Sequence, residues 1–228
     1  KSLKIPYVFG VKGVCGQVQT GDSLIVDGRR GDVLVNPDAD TVVAFHERRN
    51  SRRTRPALAR STTSGLLTTA DGTRVQISAD VASLADIDSA VELGAESVGL
   101  FRTELLYLHR LDLPTDEEQY RDAVAVLEAL GGRTATFRTL DLGGDKLPIG
   151  MKVPRDPNPN LGVRAIRFSR RRPDIFRTQL RALYRASVRG PMRIIFPLIS
   201  GVTEMREAVV QCAAIRDELE REGIAHRR

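Results

Sequence analysis

From residue 66 onward the chain repeats one unit: a short apolar run, a helix-start signal, an amphipathic stretch and a glycine stop. Val75–Asp80 reads as a first strand. Ser83 and Asp86 have the spacing of a capping box, and Gly94 closes the helix they open. Ser97–Arg102 is a second strand; Thr115 and Glu118 cap the next helix, which Gly131 stops. Thr134–Asp141 is a third strand. Pro173 opens a helix whose apolar face carries Phe176, Leu180, Leu183 and Tyr184, with Ser187 one turn on. Arg193–Ile199 is a fourth strand, and a last helix from Thr203 is expected to bury Met205, Val209 and Cys212 or Ala213, ending near Gly223. Strands that alternate with helices imply an α/β fold with a parallel sheet and right-handed crossovers. Doubly wound sheets and (β/α)8 barrels both fit this rhythm, and four units are half of such a barrel.

The residues before this repeat have another character. Residues 1–37 are rich in glycine, and Asp22–Gly28 and Gly31–Pro37 read as two strands joined at Arg29-Arg30. This piece is too short to enclose a core of its own. Residues 38–65 read as a linker, partly helical, whose basic run His46–Arg55 is interrupted by Pro56. A run of this kind is usually a solvated face, and the competing reading is an arm that binds a polyanion. The domain division is therefore 1–37, 38–65 and 66–228.

The net charge of +6, mostly arginine, points either to nucleic acid or to an anionic small substrate. Aromatic content of 5% without tryptophan supplies few stacking platforms for single strands, so nucleic acid is disfavoured. No apolar run approaches the roughly 20 residues of a membrane helix, and the first residues have no signal-peptide core. Two distant cysteines, Cys15 and Cys212, suggest neither a disulfide framework nor a zinc site, which fits a cytoplasmic setting. The chain opens on Lys1 rather than Met, as a fragment or processed form would.

In parallel α/β folds, chemistry collects at the carboxyl ends of strands. Two of the expected strands carry an arginine there, Arg102 and Arg138. A guanidinium at the end of an apolar strand is costly to leave unpaired, and its planar fork suits phosphate or carboxylate. Two such forks at one mouth describe a site for a small, multiply charged anion. Each arginine could instead be a structural ion pair, with Glu104 two residues after Arg102 and Asp141 three after Arg138. In Asn158–Arg167, Gly162 permits close backbone approach, and Arg164 and Arg167 share a face if the segment is helical. Other motifs fail. Gly143-Gly-Asp-Lys146 is not a P-loop, Gly10–Gly16 does not match a dinucleotide fingerprint, and His46–Asn50 lacks the second histidine of a zinc-protease helix. His46, His109 and His226 assemble no triad or metal cluster.

Several of these segments resemble the enzyme I family of phosphoenolpyruvate-protein phosphotransferases. Gly99–Tyr107 is similar to the family's second-strand motif, and Arg138-Thr-Leu-Asp-Leu-Gly-Gly-Asp-Lys146 to its third-strand motif. Asn158–Arg167 resembles the segment that follows, and Leu113–Gln119 also fits. Ser2–Pro6 and Asp22–Pro37 look like the end of a swivelling phosphohistidine domain. The resemblance implies that residues 66–228 are the first half of a (β/α)8 barrel that binds phosphoenolpyruvate, following the β-rich tail of the phosphohistidine domain. It makes Arg102 and Arg138 the phosphoenolpyruvate-binding arginines, and Arg164 a third at the same mouth. It further implies Mg2+ as cofactor, the carrier protein HPr as phosphoryl acceptor, and homodimerisation through the barrel domain. The family's phosphorylated histidine is expected upstream of Ser2, and its Mg2+ carboxylates and acid cysteine on later strands. The 228 residues alone are therefore expected not to phosphorylate themselves. Pyruvate phosphate dikinase and phosphoenolpyruvate synthase are the nearest rival resemblances. A non-catalytic dimerisation or polyanion-binding piece is the rival from another class.

Overall fold

The computed structural model describes residues 5–108, 110–142, 158 and 161–227 apart from 63–66, with residues 52–62 described by their backbone alone. The run Gly143–Lys146, His109 and Ser2–Lys4 lie outside the described residues. The chain divides into two compact units, residues 1–66 and 67–228.

In the first unit, β1 (Leu24–Asp27) and β2 (Asp32–Val35) form an antiparallel hairpin with Leu24 opposite Val35 and Asp27 opposite Asp32. The Asp27 carboxylate accepts from the backbone N–H groups of Arg29 and Arg30 at 3.1 and 3.2 Å, which folds the turn. A one-turn helix, α1 (Val14–Gln17), carries the exposed thiol of Cys15. A long helix, α2 (Ala39–Thr62), starts where the Asp38 carboxylate accepts from the N–H of Thr41 at 2.7 Å. Pro56, expected to interrupt the basic run, lies inside this helix. Proline removes one ladder bond there, while Arg55, Ala57, Leu58 and Ala59 around it are strong helix formers.

The second unit opens with a small hairpin, β3 (Leu67–Thr68) against β4 (Arg74–Val75). The expected first strand Val75–Asp80 is thus divided. Val75 closes the hairpin around Asp71-Gly72, and the sheet strand β5 begins only at Ser78 (Ser78–Val81). β5 is followed by β6 (Ser97–Arg102), β7 (Ala135–Arg138) and β8 (Met192–Ile195). They form one parallel sheet in chain order, β5-β6-β7-β8. Helix α3 (Leu84–Glu92) connects β5 to β6, and α4 (Asp116–Ala129) connects β6 to β7. Then α5 (Ala165–Arg171) and α6 (Pro173–Ala186) precede β8, and α7 (Val202–Arg221) follows it. The third and fourth strands are shorter than their apolar runs. The fourth ends before Pro197, which cannot donate to a ladder, and Leu198, whose φ is 57°.

Burial follows from these residues. Val98, Phe101, Ala135 and Phe137 of the sheet pack with Ile87, Val126, Leu127, Leu130 and Leu183 of the helices. Gly99 is dictated by proximity: a Cβ there would lie 2.8 Å from the Cβ of Ser78 on the neighbouring strand. Helix α6 buries Phe176, Leu180 and Leu183 as its spacing requires. On α7 the buried face is Ala208, Cys212, Ile215 and Leu219, and the expected Met205 and Val209 are exposed. The α7 stripe is one step out of phase because Ile215 and Leu219 near its C-terminal end, not the first turn, set the face against Phe176 and Leu180.

Both expected capping boxes are formed, at Ser83/Asp86 and Thr115/Glu118. At the second, the Glu118 carboxylate accepts from Arg110 at 2.6 Å and from the Thr115 N–H at 2.8 Å. The Arg110 hydrogen bond, aided by the cap, lowers its pKa from 4.5 to about 2. A folded-state pKa below the unfolded value contributes stability that is present above pH 4.5 and lost as pH falls toward 2. A Glu118→Gln variant is expected to show a shallower fall of Tm across that window, measured by calorimetry.

Candidate anion site

The carboxyl ends of β6 and β7 place Arg102 and Arg138 as register partners on adjacent parallel strands. Both side chains leave the sheet at the edge where helices and loops depart. Arg102 is half exposed and pairs with Asp80 of β5, its Nε donating to Oδ1 at 3.0 Å and its Nη2 to Oδ2. That hydrogen bonding raises the guanidinium pKa above its ordinary value. Arg138 is more enclosed. Its Nε and Nη2 donate to Glu104 Oε1 at 3.0 and 2.6 Å, and its Nη1 lies 3.3 Å from Asp141 Oδ2. Arg164 donates from Nε and Nη2 to Asp141 Oδ1 at 3.1 and 2.8 Å. Asp141 thus bridges two arginines, and the three expected residues stand at one end of one sheet.

The sequence offered Glu104 as a partner of Arg102, and the structure gives Glu104 to Arg138 instead. Residues Thr103–Leu106 form a 3-10 turn directly after β6. This turn carries the Glu104 carboxylate across to β7, where the N–H of Asp141 also donates to Oε1 at 3.3 Å. Arg102 turns the other way, toward Asp80, a partner that no local spacing suggests. Arg164 and Arg167 do not share a helix face. Arg164 has extended backbone (φ −144°) and caps α5, whereas Arg167 lies within α5 and points to the Leu161 carbonyl. Ala165, between Arg164 and the helix interior, has φ 52°. This left-handed turn at a buried position separates the two arginines.

A further residue holds the cluster and escaped the sequence reading. Gln179 of α6 is buried at 1% exposure. Its Oε1 accepts from the N–H of Leu140 at 2.8 Å, and its Nε2 donates to Thr103 Oγ1 at 3.1 Å. Thr103 Oγ1 in turn donates to the carbonyl of Arg138 at 2.8 Å. The only sequence signal was a glutamine amid the apolar face of α6, where a polar side chain must find partners.

The electrostatic balance is close. Three guanidinium groups face Asp80, Glu104 and Asp141. Among the described residues Glu104 Oε2 is buried without a hydrogen-bond partner, because Arg138 Nε and Nη2 both converge on Oε1. These carboxylates have the shape and charge of the anion that such forks accept, so an incoming phosphate or carboxylate competes with them. A cleft of about 940 Å³ lies nearby between α5 and α7, lined by Gly162, Arg167, Arg170 and Glu204, but none of the three site arginines lines it. Arg170 there pairs with Glu207 at 2.5 Å, and Arg171 and Arg206 also line the cleft. Among the described residues, no group of three His, Cys, Asp or Glu side chains is placed to hold a metal ion. Asp80, Glu104 and Asp141 are engaged by arginines and do not fit a Mg2+ site by themselves.

Residues 57–228 match the family described as PEP-utilising enzyme, PEP-binding domain. Over 223 residues, 98% of the chain, it is 41% identical to the phosphoenolpyruvate-protein phosphotransferase of Staphylococcus carnosus (strain TM300). It is 40% identical over the same span to that of Staphylococcus aureus, and 40% over 225 residues to that of Geobacillus stearothermophilus. The aligned part is 39% of the length of each of these relatives. With an α/β fold built on a parallel sheet and an arginine cluster at its carboxyl edge, the chain belongs to the PEP-utilising enzymes, and residues 57–228 are PEP-binding domain.

Proposed function

We propose that this chain supplies the substrate-anion site of a phosphoenolpyruvate-protein phosphotransferase, which moves the phosphoryl group of phosphoenolpyruvate to its own histidine and then to an HPr-type carrier. The observation that carries this reading is the register pairing of Arg102 with Arg138 at adjacent strand ends, with Arg164 joined to Arg138 through Asp141. The names of the relatives, aligned over nearly the whole chain, favour this activity over that of a dikinase or synthase. The four strands in chain order are the first half of a (β/α)8 barrel, and residues 1–37 are the tail of the swivelling phosphohistidine domain. The protein works in the cytoplasm as a homodimer joined through the barrel domain.

Phosphoenolpyruvate carries a phosphate and a carboxylate. Guanidinium forks bind both in parallel hydrogen bonds and hold the phosphate in one orientation for in-line attack. Arg138 is as enclosed as Arg164, and it contacts two carboxylates where Arg164 contacts one. It neutralises the phosphate and stabilises charge on the transferring group, where phosphoryl-transfer enzymes obtain most of their rate. Arg102, half exposed, closes over the anion from the solvent side by exchanging Asp80 for it. Arg164 is released from Asp141 as the anion takes its place. Mg2+, whose carboxylate ligands are expected outside this chain, would supply further charge neutralisation when bound.

Calorimetric titration of the chain with phosphoenolpyruvate and Mg2+ tests this reading. Saturable binding, weakened by salt and by competing inorganic phosphate, is the expected result. A folded chain that takes up no phosphoenolpyruvate at millimolar concentration would count against these residues forming the site.

A further inference from the structure

Gln179 lies outside every motif that marked the site, yet it touches both loops that carry the arginines. Thr103 directly follows Arg102, and Leu140 is two residues beyond Arg138. One buried amide bonds to both, through Leu140 N–H at 2.8 Å and Thr103 Oγ1 at 3.1 Å. Thr103 completes the tie by donating to the Arg138 carbonyl at 2.8 Å. A neighbouring bond runs on to the fourth strand, where Thr139 N–H donates to the Ile195 carbonyl at 2.9 Å. The chain of bonds therefore runs from α6 through the β6 loop into the β7 loop. It fixes the two backbones from which Arg102, Glu104, Arg138 and Asp141 project.

A buried glutamine is often only a satisfied polar group in a core. Two features argue for more. Its partners are not on its own helix, but on the two post-strand segments of the anion cluster, 76 and 39 residues away in sequence. Both ends of the amide are used, so its orientation is set and each loop is held against the other. We propose that Gln179 is a positioning residue for the anion site, holding the Arg102 and Arg138 segments at the spacing that a phosphate-and-carboxylate ligand requires. This rests on the phosphoenolpyruvate reading only for the identity of the ligand; the positioning of Arg138 stands or falls separately.

The test compares three variants of the full chain. Gln179→Met keeps the volume and removes both bonds, Thr103→Val cuts the tie one step further on, and Leu219→Ala destabilises α7 at a buried position away from the cluster. Two quantities are measured well below each variant's Tm: the Arg138 Nε–H signal and its exchange rate by NMR without ligand, and the Kd for phosphoenolpyruvate by calorimetry. In Gln179→Met and Thr103→Val the Arg138 signal is expected to shift and exchange faster. Kd is expected to rise by about tenfold or more, as positioning contacts near a reacting group produce. Leu219→Ala is expected to lower Tm and leave both readouts unchanged. The proposal is overturned if the first two variants behave like Leu219→Ala. Should Gln179→Met fail to fold, Thr103→Val decides. If the unmodified chain binds no phosphoenolpyruvate, the ligand assignment fails, and the Arg138 signal alone decides the role of Gln179.

Discussion

Arg138→Ala is expected to abolish measurable phosphoenolpyruvate binding in the titration that detects it in the unmodified chain. The side chain is about one-quarter exposed and makes three contacts to two carboxylates, Glu104 and Asp141. Removing one member of a desolvated, hydrogen-bonded charge pair costs about 2–5 kcal/mol in binding, which is a loss of roughly 30-fold to several thousandfold. The same variant leaves Glu104 with a buried, uncompensated carboxylate whose Oε2 already lacks a partner among the described residues, so Tm is expected to fall as well. Measuring Kd at a temperature where the variant is fully folded separates the two effects. Arg138→Lys keeps the charge and loses the fork, and an intermediate Kd is expected from it. An Arg138→Ala chain that binds phosphoenolpyruvate as tightly as the parent would remove Arg138 from the site. Arg102→Ala should cost less, because that side chain is half exposed and its Asp80 partner is left in water rather than in the protein.

The second large effect is on the sheet that carries the site. Phe137 is 1% exposed and its ring centroid is 5.4 Å from that of Phe101 on the adjacent strand, at an interplanar angle of 58°. Phe137→Ala removes a ring from the centre of the core formed with Val98, Val126, Leu127 and Leu183. Loss of a buried phenylalanine side chain costs about 3–5 kcal/mol, part of it in the cavity left behind. For a unit of this size that is a fall in Tm of roughly 6–20 °C, read by differential scanning calorimetry. Because Phe137 immediately precedes Arg138, the variant also loosens the strand end from which the guanidinium projects. Phosphoenolpyruvate affinity is expected to drop even at temperatures where the chain stays folded. A change in Tm of a degree or less would mean that the sheet core is not packed as described.

What the chain reveals without its structure is the set of features decided within a few residues of one another. The capping boxes at Ser83/Asp86 and Thr115/Glu118, Pro173 opening α6, and the full span of β6 are of this kind. Each depends on hydrogen bonds or steric limits that operate inside one turn or one pleat, so spacing is sufficient. The positions of Arg102 and Arg138 were legible for a related reason, since an arginine at the end of an apolar strand lies at the functional edge of a parallel sheet wherever that strand is placed. The partners of those arginines were not legible. Glu104 goes to Arg138 rather than Arg102, and Arg102 goes to Asp80, because the register of β5, β6 and β7 brings together residues 22 and 34 apart. The α7 face was misread at Met205 and Val209 because a helix with apolar residues on several sides has no single stripe until a neighbour selects one. Gln179 is the extreme case. Its place amid the apolar face of α6 says only that its amide needs partners; the packing of α6 across the ends of two strands brings that amide to Thr103, 76 residues earlier, and to Leu140.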